Sequence, residues 1–84
     1  MDSRLKNIRP EEAKRFLEKR GFILSNVYGH HWVYYKKIGN QEFMPQVIDN
    51  NKQLYEPNIN EMIRKSGIPK AEWADFRQYL KKSK

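Results

Sequence analysis

The chain has 84 residues, 38% of them hydrophobic and 32% charged, and carries 17 lysines and arginines against 10 acidic residues, for a net charge of +7. That length gives one domain, residues 1–84, with a modest core and no room for a deep, enclosed active site. The absence of cysteine excludes disulfides, thiolate catalysis and Cys-based zinc centres.

No apolar run approaches the ~18 residues of a membrane span, and Met1 to Pro10 contain no signal-like apolar segment. The expectation is a cytoplasmic protein with no membrane partner. The basic excess lies at the two ends. Residues 1–22 hold 7 basic and 4 acidic side chains, residues 23–57 hold 3 and 3, and residues 58–84 hold 7 and 3. Such a balance attracts polyanions, nucleic acid first among them.

The first element is a helix from Pro10 to Lys19. Proline suits the first helical position, Glu11 and Glu12 meet the positive end of the dipole, and Lys19 and Arg20 meet the negative end. Ala13, Phe16 and Leu17 form its apolar stripe, and Gly21 closes it. From Phe22 to Ile48 the composition turns aromatic and β-branched, which reads as strand. Gly29 interrupts this run. Gly39-Asn40 is a hairpin turn signal between strands at His31–Ile38 and Gln41–Ile48. Pro45 cannot donate to a ladder, so the second strand is at an edge or bulged there.

Asp49 to Lys52 make a polar turn, and Gln53–Glu56 form a short third strand. A second helix starts near Asn58, with Asn58 and Glu61 spaced as a capping box. Ile59, Met62 and Ile63 form its apolar face, and Gly67 ends it. Pro69 opens a third helix reaching Lys81, with Trp73, Phe76 and Leu80 as its stripe; a basic tail, residues 81–84, follows. The order predicts an α+β domain with a small antiparallel three-stranded sheet covered on one face by helices.

Chemistry centres on the only two histidines, His30 and His31. Successive strand side chains point to opposite faces, so only one of them faces a given substrate. Histidine titrates near neutral pH and serves as base or acid without extreme tuning. RNA brings its own nucleophile, the ribose 2′-hydroxyl; a cleaving site then needs a base, cationic donors for the phosphate and a way to hold the strand. Gly29, the aromatics Trp32 and Tyr34, and the cations Lys36 and Lys37 are the candidate RNA contacts. Strand alternation also makes Trp32 with Tyr34, or Val33 with Tyr35, core residues. No metal or cofactor is implied: adjacent histidines chelate one ion poorly, and no third ligand is evident.

Several segments together resemble HicA, the RNA-cleaving toxin of a type II toxin–antitoxin system, over residues 10 to 76. Leu17-Glu18-Lys19-Arg20-Gly21-Phe22 is similar to the end of the family's opening helix. Gly29-His30-His31-Trp32-Val33-Tyr34 resembles its Gly-Ser-His motif, and Met44-Pro45 its Val-Pro. Ile59 to Trp73, with Ile63 to Pro69 at its centre and the pair Glu72-Trp73 at its end, resembles the closing segment.

The resemblance implies a fold like that of double-stranded-RNA-binding domains, metal-independent endoribonuclease cleavage of mRNA, and inhibition by a HicB antitoxin. By position the catalytic histidine falls on His31, while His30 stands where the family has serine and remains the other candidate base. Gln46 stands near where the family often has a second histidine. Two other functions compete: an RNA-binding module of the same fold without turnover, and a helix-turn-helix DNA-binding protein over Asn60 to Leu80. Ile63, where that motif needs a small residue, counts against the second.

Overall fold

In the computed structural model, residues 8–50 and 52–78 are described. Helix α1 spans Pro10–Lys19, as its sequence signals predict, with Arg9 as N-cap; the Glu12 carboxylate accepts from the Arg9 backbone N–H at 3.0 Å. Four strands follow: β1 (Ile23–Tyr28), β2 (His31–Ile38), β3 (Gln41–Phe43) and β4 (Gln46–Ile48). The first two are joined by the two-residue turn Gly29-His30, in which Gly29 has a φ of 61°. That positive φ explains the glycine without any ligand.

The three-stranded expectation needs correction. Both β3 and β4 pair antiparallel with β2, so the sheet has four strands. The break falls at Met44-Pro45, because proline has no N–H to give to the ladder. Its carbonyl still accepts from the Tyr34 N–H at 2.9 Å, which keeps the two short strands on one track. A bulge between Leu24 and Asn26 shifts the register of β1.

No strand forms over Gln53–Glu56. The Leu54 N–H reaches the Ile8 carbonyl at 2.8 Å, Leu54 is buried, and Tyr55 is already the N-cap of α2 (Glu56–Ser66). Asn58 therefore lies inside the helix, and the Asn58–Glu61 capping box is not formed. Pro57 in the first turn, where a missing N–H costs nothing, sets the earlier start. Gly67 ends α2 at a φ of 71°, and a Cβ there would collide with the Phe43 ring. The third helix is shorter than expected: α3 covers Lys70–Ala74, a turn intervenes at Asp75, and residues 76–78 are helical again. Leu80, Lys81 and the basic tail lie outside the described residues.

The core joins all three helices to one face of the sheet. Phe16 and Leu17 of α1, Ile59, Met62 and Ile63 of α2, and Trp73 and Phe76 beyond it meet Tyr34 and Val47, with Trp32 and Phe43 packed against them. The opposite face carries His31, Val33, Tyr35 and Lys37 of β2, flanked by Tyr28 of β1 and by Gln46 and Ile48 of β4. No helix among the described residues is long and apolar enough to cross a membrane.

Tyr34 shows how the core is closed. It is fully buried, and its hydroxyl donates to Glu18 Oε2 at 3.2 Å. Burial first, and then the Glu18 carboxylate, hold the phenol well above its ordinary value of 10.0. Above pH 10 the unfolded chain gives up this proton and the folded chain keeps it, so stability falls as pH rises. Urea unfolding at pH 9 and pH 11 should show wild type losing more stability across that interval than Tyr34→Phe.

Candidate functional site on the open face of the sheet

The β1–β2 turn places the two histidines in different surroundings. His30 sits in the turn itself, and its Nδ1 lies 3.1 Å from the Asp49 carbonyl. The Asp49 N–H donates back to the His30 carbonyl at 2.7 Å, and Lys14 Nζ holds the Asp49 carboxylate at 2.6 Å. His30 is thus part of a brace between the turn, the end of β4 and α1.

His31 opens β2, directly opposite Tyr28 on one side and Ile48 on the other. It is exposed on the open face. The Tyr28 ring lies nearly parallel to the imidazole, 25° between planes and 6.0 Å between centroids.

The His31 Nδ1 stands 3.1 Å from Gln46 Oε1. An amide oxygen only accepts, so of the two neutral tautomers this contact favours the one with its proton on Nδ1, in which the lone pair is on Nε2. A histidine held this way is a base presented to the surface. Long-range 1H–15N spectra should show that tautomer predominating in the wild type, and a mixture of both tautomers in Gln46→Ala.

The other expected site residues divide by strand alternation. Trp32 and Tyr34 face the helices, not His31. Lys14 Nζ lies 3.4 Å from the centre of the Trp32 ring on that side, and Tyr34 is fully buried, so its ring has no face to offer a base. Lys36 also points to the helical side, where its Nζ donates to the Arg20 carbonyl at 2.5 Å. Lys37 shares the His31 face but lies six residues along the strand, roughly 20 Å away. The structure therefore does not bring either lysine beside His31. Gly29 is a turn residue.

Sequence reasoning missed what surrounds the histidine. Gln46 and Ile48 of β4 and Asn58, Glu61 and Lys65 of α2 line a hollow of about 220 Å³ beside His31. That is below the roughly 300–1,000 Å³ of small-molecule pockets, so a substrate here lies across the surface. The one available signal was the helical spacing of Asn58, Glu61 and Lys65, which puts them on one stripe of α2. Among the described residues no group of three or more His, Asp or Glu side chains is gathered to hold a metal.

Fold and site together define an α+β domain that presents one histidine on the open face of an antiparallel sheet. None of the protein-family models, curated proteins or solved structures compared with the chain matches it.

Proposed function

We propose that this domain is a HicA-type toxin, a cytoplasmic endoribonuclease that cleaves mRNA without a metal and is silenced by a HicB-type antitoxin. The observation that carries the reading is His31: exposed on the open face, Nδ1 tied to Gln46, Nε2 free to take a proton. The chain order supports it too. A helix, an antiparallel sheet and a second helix, with helices on one face, is the layout expected of a fold like that of double-stranded-RNA-binding domains.

In the reaction, His31 Nε2 removes the proton of a ribose 2′-hydroxyl. The 2′-oxygen attacks the adjacent phosphorus, the bond from phosphorus to the 5′-oxygen breaks, and that oxygen takes a proton from solvent. The products are a 2′,3′-cyclic phosphate and a 5′-hydroxyl. The antitoxin's task is then to cover His31 with an acidic surface suited to a chain of net charge +7.

A second reading, binding without cutting, is favoured by one observation: Lys36 and Lys37 lie away from His31. The test is an RNA oligonucleotide with a single 2′-deoxy sugar at its cleavage position. That oligonucleotide should stay intact while its all-RNA twin yields cyclic-phosphate ends. Equal cutting of both, or cutting only with a divalent metal, rejects the mechanism; intact but bound RNA in both favours the second reading.

A further inference from the structure

The hollow beside His31 continues into a larger one. A depression of about 520 Å³, lined by Tyr28, Val33, Met44, Gln46, Arg64 and Lys65 among others, shares Gln46 and Lys65 with the hollow of about 220 Å³ at His31. The two form one open groove between the sheet and α2. Its two sides differ in chemistry. The sheet side offers a tyrosine ring 52% exposed, an exposed methionine, the imidazole and, at the β3 end, the Glu42 carboxylate, which accepts from the Tyr35 hydroxyl and keeps the phosphate path to the α2 side. The α2 side offers two cations in the last turn of the helix, Arg64 and Lys65, whose side chains are 69% and 42% exposed. Glu61 pairs with both, so this side keeps one net positive charge from three groups.

We propose that this groove binds an unpaired RNA strand, with Arg64 and Lys65 on its phosphates and Tyr28 stacked on a base. The proposal rests on the nuclease reading for the role of His31, and names the class of RNA that reaches it. A cationic wall that tracks a backbone, set against an aromatic floor that takes bases of any identity, is how single strands are held. A duplex keeps its bases stacked inside and has no ring to give Tyr28. Charge complementarity selects a polyanion over a second copy of this basic chain. Glu61 exchanges nothing with the strand; it holds Arg64 and Lys65 in place and is the group a phosphate competes with.

The test uses the full chain carrying His31→Ala, so that RNA stays whole, and a fluorescent 12-nucleotide single strand beside a hairpin of the same composition. The single strand should bind at least tenfold more tightly. Arg64→Gln with Lys65→Gln should lower the slope of log affinity against log salt by about 0.7 per cation. Tyr28→Ala should weaken single-strand binding roughly tenfold or more, and Lys70→Gln on α3 should change neither. All three groove positions are exposed, so circular dichroism should report an unchanged fold.

Tighter binding of the hairpin, or no response to the Arg64 and Lys65 substitutions, overturns the groove. The two readings fail separately. Cleavage by wild type that ignores Arg64, Lys65 and Tyr28 leaves the nuclease and removes the groove; groove-dependent binding with no cleavage does the reverse.

Discussion

His31→Ala should lower the rate of RNA cleavage by about 10²- to 10⁴-fold, the usual contribution of a positioned general base. Growth arrest on induced expression, with loss of mRNA, should disappear with it. The fold should not change. His31 is exposed, touches the rest of the protein through one bond to Gln46 and a ring contact with Tyr28, and surface substitutions of this kind stay within about 0.5 kcal/mol.

His30→Ala is the informative companion. Its imidazole is tied to the Asp49 carbonyl in the turn, so removing it should loosen the turn and reduce the rate only modestly. The order of the two variants decides the base. If His30→Ala stops cleavage and His31→Ala does not, the base is His30. If wild type cuts no RNA, the domain is a binding module.

The second large effect is on stability. Trp73→Ala should cost about 3–5 kcal/mol, the range for removing a large buried aromatic. Trp73 has no exposed surface. Its ring centre lies 4.6 Å from that of Phe16 and 6.4 Å from that of Phe76, so one side chain joins α1 to the C-terminal segment. Its Nε1–H donates to Ser66 Oγ at 3.1 Å. The same hydroxyl donates to the Ile63 carbonyl at 2.8 Å and accepts from the Ile68 N–H at 3.1 Å. The substitution therefore opens a cavity and also removes one bond from a fully buried polar junction.

Domains of this size have only about 5–15 kcal/mol in total, and each kcal/mol moves the melting temperature by about 4–8 °C. Thermal denaturation should show Trp73→Ala partly or wholly unfolded at 37 °C. Trp73→Phe keeps most of the ring and should lose much less. A wild-type-like melting curve for Trp73→Ala would mean that α3 does not belong to the core.

Local signals in the sequence determined the elements that depend on nearest neighbours. Pro10, the acidic first turn and Gly21 bound α1 to the residue, since helix ends are set by a few adjacent groups. Gly39-Asn40 placed the β2–β3 turn, and the spacings of Phe16 with Leu17 and of Trp73 with Phe76 gave core residues. The same signals failed where a distant contact outweighed them. Gln53–Glu56 reads as strand, yet Leu54 is drawn into the core and bonded to Ile8, and the N-cap of α2 is Tyr55, three residues earlier than its capping pattern suggests. The Gln41–Ile48 run reads as one strand, and proline divides it into two that share β2 as partner.

The site divides in the same way. Adjacency alone decided that His30 and His31 could not both serve one substrate, because strand side chains alternate. It could not say which face is covered. Only the packing of the helices on Trp32, Tyr34, Val47 and Phe43 turned Tyr34 and Lys36 inward and left His31 on the open side. Gln46 and Lys65 lie 15 and 34 positions beyond His31 in the chain. They reach it through the pairing of β4 with β2 and the docking of α2 beside them, contacts that arise when apolar surface far apart in sequence is buried together.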